Sequence, residues 1–197
     1  FAECEKYGIE PVVTICHFDT PYALYRKFGG WKDRRMIKCY LRLCGVLFKR
    51  YRRVKYWMTF NEINMVLHVP LFAGVEIGPS ENGWQVKYQA AHHQLVASAL
   101  ARETIPGVQI GCMIAAGTYS PYSCRPEDVF AAMRKTQETY FFSDIQAKGA
   151  YPSYTGSLFR EKDVKICMQK NDLKILRENT VDYIGFSYSS SRLAAAD

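Results

Sequence analysis

Short, nearly continuous apolar runs recur along the chain, separated by longer segments in which apolar residues have helical spacing. Four of the short runs are rich in β-branched and aromatic residues, and they cover residues 10–18, 54–60, 108–115 and 181–188. Runs of this length and composition predict β-strands. Because they do not alternate strictly with polar residues, they are typical of strands that are covered on both faces.

The segments between these runs predict helices. One apolar stripe with helical spacing consists of Met36, Tyr40, Leu43, Cys44, Leu47 and Tyr51. A second helix is predicted over 84–103. Pro126, followed by two acidic residues, is typical of the first turn of a third helix, and residues 172–178 predict a short helix before the last strand.

Strands that alternate with helices predict a parallel sheet in an α/β fold. A complete (β/α)8 TIM barrel needs about 250 residues and eight strands, whereas only four strands are predicted in the 197 residues of this chain. We therefore expect a partial TIM barrel of about four parallel strands with the helices outside. Residues 1–188 form the predicted barrel domain and 189–197 an atypical tail. The open sheet edges of a partial barrel invite pairing with another copy, so self-association is expected.

The cysteines, the histidines and the apolar segments indicate the cellular compartment of the protein and whether it binds a cofactor. The seven cysteines are odd in number, scattered and without a Cys-x-x-Cys motif, which favours reduced thiols in a cytoplasmic protein. The sequence shows neither a membrane span nor a signal peptide. No metal site or other cofactor is predicted, and the adjacent His92 and His93 would point in different directions on a helix, which favours packing over chelation.

The net charge of +7 includes a basic run, which consists of Lys49, Arg50, Arg52, Arg53 and Lys55. A solvated helix end explains such a run, because cations suit the negative end of a helix dipole. A surface that binds polyanions is the alternative. Since no nucleic-acid-binding motif accompanies the charges, nucleic acid is not an expected partner.

Polar side chains collect where the first two predicted strands end. His17 and Asp19 follow the first run, and Asn61, Glu62 and Asn64 follow the second. Functional groups of parallel α/β folds collect at the carboxyl ends of strands, and these residue types suit the hydroxyl groups of a sugar. Glu62 follows a predicted buried strand that is rich in aromatic residues. Removal of its carboxyl group from water there would favour the protonated form that a general acid needs. A Glu paired with an arginine at the rim explains the spacing equally well.

Four motifs, in order along the chain, resemble those of the family-one glycoside hydrolases. Residues 59–62 (TFNE) resemble the acid/base motif of that family, and residues 17–21 (HFDTP) resemble its His-aromatic-Asp-x-Pro strand end. Residues 29–31 (GGW) and 182–188 (DYIGFSY) resemble a turn and the sixth strand. The resemblance implies that the chain covers about strands three to six of the barrel.

Within that family, the chain is most similar to bacterial 6-phospho-β-glucosidases, on residues 115–123, 151–154 and 186–188. The resemblance implies retaining hydrolysis of phosphorylated β-glucosides. It implies Glu62 as the general acid/base, Asn61 and His17 as contacts to the sugar 2- and 3-hydroxyls, and Tyr188 as a further substrate contact.

The family's nucleophile follows strand seven in a Thr-Glu-Asn-Gly motif, and its phosphate-binding loop lies further on, so both are expected beyond residue 197. Glu81-Asn82-Gly83 spells part of that motif, but the preceding Gly78-Pro79 marks a loop rather than a strand end. The chain departs from the family at Ser189, where a tyrosine is usual, at the shorter stretch 101–108, and in the tail.

Two functions of different classes remain open from the sequence. The chain is either part of a 6-phospho-β-glucosidase whose catalytic set is completed elsewhere, or an inactive half-barrel remnant that self-associates. In the second case the basic run at 49–55 would bind polyanions.

Overall fold

Four parallel strands form one sheet in sequential order. The computed structural model describes residues 1–196, and the strands are β1 (Val12–Cys16), β2 (Tyr56–Phe60), β3 (Gln109–Pro121) and β4 (Tyr183–Ala194). Each strand pairs in parallel with the next one along the chain, in the order β1-β2-β3-β4. The prediction of four parallel strands is confirmed. Asp197, the last residue of the predicted tail, lies outside the described residues.

Helices follow or connect these strands, as the periodicity predicts. They are α1 (Ala2–Lys6), α2 (Tyr22–Phe28), α3 (Arg35–Arg50), α4 (Gly83–Glu103), α5 (Pro126–Lys148), α6 (Thr155–Glu161) and α7 (Asp172–Glu178), with a 3₁₀ turn at Ile63–Leu67. The helices predicted over 84–103 and 172–178 are confirmed, and Pro126 occupies the first turn of α5. Among residues 1–196, no helix is long and apolar enough to cross a lipid bilayer.

The core lies between the sheet and the helices. Trp57 of β2 is fully buried and packs edge-on against Phe48 of α3, with ring centroids 5.1 Å apart. Thr59, two residues on, shares a 2.8 Å hydrogen bond with Ser98 of α4. Because side chains alternate along a strand, Met58 lies on the other face of the sheet, where a Cβ on Gly185 would come within 2.9 Å of its Cε.

The last two strands extend further than the apolar runs predict. β3 continues to Pro121 and β4 to Ala194, so residues 191–194 of the predicted tail are paired with β3. The predicted end of the fourth strand at residue 188 is therefore wrong. The reason is that β4 runs on through the polar serines 189–191, which have no strand pattern of their own, and pairs with β3 again from Ser191.

All seven cysteines are free thiols, as their scatter predicts.

The basic run has acidic partners in the structure. Arg53 and Lys55 of the basic run pair with Glu5 at 2.9 Å and Glu10 at 2.7 Å. These partners neutralise part of the run, which counts against a polyanion surface there.

Candidate active site

The ends of β1 and β2 turn sharply through residues in the left-handed backbone region. Glu62, two residues after β2, has φ 41° and ψ 55°, and Phe18, two residues after β1, has φ 62°. A residue other than glycine in this region costs about 1–3 kcal/mol, and such strain concentrates at functional sites. The two neighbouring strand ends are therefore places where surrounding contacts hold the backbone in an unfavourable conformation.

Asn64 anchors the turn that contains Glu62. Its buried side chain donates from Nδ2 to the carbonyl of Ala115 and accepts the N–H of Ala115 at Oδ1, each at 2.9 Å. On the other side, the N–H of Asn61 donates to the carbonyl of Cys16 at 2.9 Å. The backbone around Glu62 is thus fixed to β1 and β3 at once.

The carboxylate of Glu62 lies in a cleft between β2 and the end of β4. The cleft has a volume of about 330 Å³, and its walls include Asn64, His68, Ser187 and Ser189. Ser187 donates its hydroxyl hydrogen to Oε1 of Glu62. Since Ser187 comes from a strand two places away in the sheet, this bond ties the orientation of the carboxylate to the sheet as a whole.

Asn61 and Glu62 also share a second, smaller hollow beside the end of β1. This hollow measures about 10 Å³ and is bordered by Cys16 and Phe18. Burial and the negative charge of Asp19 raise the pKa of Cys16 to about 12. The thiol therefore stays protonated near neutral pH and is not a nucleophile there.

His17 lies at the same rim, because Cys16 and Phe60 are register partners in the parallel pair β1–β2. Its side chain is exposed, and its ring meets that of Phe18 edge-on, with centroids 5.5 Å apart. The N–H of His17 donates to Oδ1 of Asp19 at 2.9 Å, which fixes the backbone after the strand. The structure thus brings His17, Asn61 and Glu62 to the carboxyl ends of two adjacent strands.

Tyr188 points away from this cleft. Its hydroxyl bonds to Ser191 and, at 3.3 Å, to Thr118. Neighbouring residues of a strand face opposite sides of the sheet, and Ser187 faces Glu62. Tyr188, which the resemblance implies as a substrate contact, therefore lies outside the cleft that holds Glu62. The alternation along β4 selects Ser187 instead, a residue that is not among the predicted site residues.

Other cleft residues were also missed. His68 follows the 3₁₀ turn and lines the cleft, where its side chain is exposed but partly desolvated. This desolvation lowers the pKa of His68 despite the opposing charge of Glu138, and the cations of Arg192, Lys87 and Lys135 lower it further. A lone histidine in an apolar stretch gave no signal in the sequence, and Arg192 lay in the segment that was predicted to be a tail.

Glu81 lies in the loop before α4. It accepts hydrogen bonds from Lys32 at 3.0 Å and from the N–H of Gly78 at 2.5 Å, and these bonds lower the pKa of its carboxyl group. The adjacent Asn82 caps α4 by accepting the N–H of Trp84 at 3.0 Å. The Glu-Asn-Gly sequence here starts a helix and does not end a strand.

The paired histidines are buried in the helical layer, each with its own partners. His92 bonds to Asp172 at 2.8 Å and to the hydroxyl of Tyr151 at 2.9 Å. His93 bonds to the carbonyl of Trp31 at 2.9 Å. Both rings are part of the packing between helices and loops.

The chain matches a known family over its whole length. The sequence model of Glycosyl hydrolase family 1 matches residues 1–197. The 6-phospho-beta-glucosidase AscB of Escherichia coli K12 is 52% identical over the whole chain. The aryl-phospho-beta-D-glucosidase BglH of Bacillus subtilis 168 is also 52% identical, and the 6-phospho-beta-glucosidase of Clostridium longisporum is 45% identical.

Solved structures show the same fold. The family 1 b-glucosidase from Thermotoga maritima superposes with a TM-score of 0.84 at 31% identity, over 100% of this chain and 45% of that enzyme. The three relatives named above are each covered over 43% of their length, so the chain spans less than half of the proteins it matches. The predicted partial (β/α)8 barrel is confirmed, and the chain belongs to glycosyl hydrolase family 1.

Proposed function

We propose that this chain supplies the acid/base side of a retaining 6-phospho-β-glucosidase. The observation that supports this most directly is the position of Glu62. It lies at the carboxyl end of a buried strand, in a turn fixed by Asn64, with its carboxylate held by Ser187 in a cleft of about 330 Å³. The substrate class follows from the similarity to AscB and the 6-phospho-beta-glucosidase of Clostridium longisporum. A cytoplasmic location stays a prediction.

In this mechanism Glu62 acts twice. In its protonated form it donates a proton to the glycosidic oxygen as the aglycone leaves, and in its ionised form it then removes a proton from the attacking water. Asn61 and His17 would bind the sugar 2- and 3-hydroxyls from the same rim. Orientation of Glu62 by Ser187 and Asn64 supports both steps, because proton transfer requires hydrogen-bond contact with the reacting oxygen.

Retaining hydrolysis also needs a second carboxylate about 5–5.5 Å from the first. Among residues 1–196, Glu62 is the only acidic residue that lines the cleft or the small hollow. General acid catalysis alone contributes only about 10²–10⁴-fold. We therefore expect that residues 1–197 by themselves do not measurably hydrolyse p-nitrophenyl β-glucoside 6-phosphate.

The test is to join the chain to the remaining barrel strands of AscB and to measure hydrolysis of the same substrate. We expect turnover to return in the chimera. Glu62→Gln should reduce it by about 10²–10⁴-fold, most strongly for substrates with poor leaving groups. Glu81→Gln is the matched control and should leave turnover unchanged. Turnover that survives Glu62→Gln on a poor leaving group would contradict the assignment.

A further inference from the structure

A bulge in β4 changes which side chains face the cleft. Ala116 of β3 is paired with Tyr188, but Thr118, two residues further on, is paired with Ser191. Between these two pairs, β4 advances by three residues whereas β3 advances by two. In a regular strand, residues 187 and 192 would face opposite sides of the sheet. One extra residue reverses this relation, and bulges near active sites often re-aim side chains in this way.

Arg192 consequently lies in the same cleft as Glu62. It is paired in register with Tyr119 of β3 and donates from one guanidinium nitrogen to the Tyr119 hydroxyl at 2.9 Å. Ser190 and Thr139 also line this part of the cleft. We call this part of the lining the Arg192 wall; it consists of Arg192, Tyr119, Ser190 and Thr139. It presents a cation with hydroxyl groups around it, whereas Glu62 and Ser187 form another part of the lining.

The charge of Arg192 is available to a ligand. Within residues 1–196, no carboxylate lies within ion-pair distance of its guanidinium, and the side chain is exposed to the cleft. A guanidinium has five N–H donors in a planar fork that matches the two oxygens of a carboxylate. The bond to Tyr119 uses one nitrogen and fixes the plane of the group, which leaves further donors for an oxyanion.

We propose that the Arg192 wall of this cleft binds an anionic group on the aglycone, such as the carboxylate of a carboxyphenyl glycoside. The inference rests on the proposed function, because Glu62 must contact the glycosidic oxygen and the group beyond that oxygen is the aglycone. The cleft volume of about 330 Å³ lies within the range of ligand pockets, about 300–1,000 Å³. The sugar phosphate is a second source of oxyanion chemistry, and the experiment separates the two.

The test compares two ligands that differ only in charge. The 4-carboxyphenyl and 4-carbamoylphenyl β-glucoside 6-phosphates have nearly the same shape, and their binding to the chain is measured by NMR titration. We expect the carboxylate ligand to bind about fivefold tighter, since partly exposed ion pairs contribute up to about 1 kcal/mol. In Arg192→Gln this preference should disappear. Arg50→Gln, an exposed arginine on α3, is the control and should retain it.

The outcomes distinguish the site from the wider function. Binding of both ligands without a preference, or a preference that survives Arg192→Gln, would overturn this inference alone. Failure of both ligands to bind any variant would also overturn this inference, whereas the proposed function is tested separately by turnover of the chimera and its loss in Glu62→Gln. Glucose 6-phosphate has the phosphate but no aglycone, so its affinity should not change in Arg192→Gln. A loss there would assign Arg192 to the sugar phosphate and contradict the proposal.

Discussion

At the scale of single residues, the candidate site depends on side chains that hold the chain in place as much as on Glu62 itself. Asn64 is the clearest of these, because its amide occupies both the N–H and the C=O of Ala115, in the manner of a strand partner. The left-handed conformation of Glu62 persists because such contacts outweigh its cost. A change at Asn64 should therefore affect stability and the direction of the Glu62 side chain together.

We predict that Asn64→Ala lowers the free energy of unfolding by about 2–4 kcal/mol, because it leaves two partly buried backbone groups of Ala115 without partners and each such loss costs about 1–3 kcal/mol. Urea denaturation followed by tryptophan fluorescence measures the change. Asn171→Ala is the control, since that side chain is exposed and makes no capping bond, and its effect should stay within about 0.5 kcal/mol. Equal effects of the two substitutions would contradict the anchoring role.

The sequence predicted some of these residues and not others, for physical reasons. Glu62, Asn61 and His17 follow apolar runs, and the rule that strand ends collect functional groups locates them. Ser187 could be located by alternation along β4 once Glu62 was known. Arg192 could not, because its direction depends on a bulge, and the position of a bulge depends on pairing with another strand rather than on the local pattern.

At the scale of secondary-structure elements, three helical segments meet at one buried carboxylate. Asp172, in the first turn of α7, accepts hydrogen bonds from Arg34 before α3, at 2.8 Å and 2.5 Å, and is bonded to His92 of α4. Burial would raise the pKa of Asp172, but the bonds from Arg34, the Gln169 N–H and His92 outweigh it and lower that pKa. The ionised carboxylate therefore joins elements that lie far apart in the sequence.

Because of this cluster, we predict that the folded chain loses stability in mild acid. Burial lowers the pKa of His92 below its ordinary value, even though Asp172 opposes the shift. The unfolded chain, with an imidazole pKa of about 6.5, binds a proton that the folded chain resists, so stability falls as the pH drops below about 6.5. The slope from one such histidine is at most about 1.4 kcal/mol per pH unit.

Urea midpoints between pH 7.5 and 5.5 measure this slope. We expect a smaller pH dependence in His92→Gln than in the natural chain, with the remainder due to His93 and His68, whose pKa values are also lowered by desolvation. Asp172 does not titrate in this range because its pKa lies below the ordinary value of a carboxyl group. An unchanged slope in His92→Gln would show that the buried imidazole is not the group that titrates.

At the scale of the whole molecule, the sheet formed within residues 1–196 has two free edges. β1, with five residues, forms one edge, and β4, with 12 residues, forms the other. Ile184, Phe186 and Tyr188 of β4 are 48%, 65% and 53% exposed, so an apolar strip runs along the longer edge. A closed barrel has no such edges, and the relatives that the chain matches are more than twice its length.

We predict that residues 1–197 alone self-associate through the β4 edge. An unpaired strand presents backbone N–H and C=O groups to another copy, and the apolar strip beside them adds buried area on contact. Light scattering after size-exclusion chromatography should show a dimer or larger species whose share rises with concentration.

Phe186→Lys should shift the population to monomer, because a charge on an edge strand opposes pairing. Leu71→Lys places the same charge at a residue that is 64% exposed but lies outside the sheet, and it should leave the association unchanged. A natural chain that stays monomeric at high concentration, or two lysine variants that behave alike, would contradict association through β4.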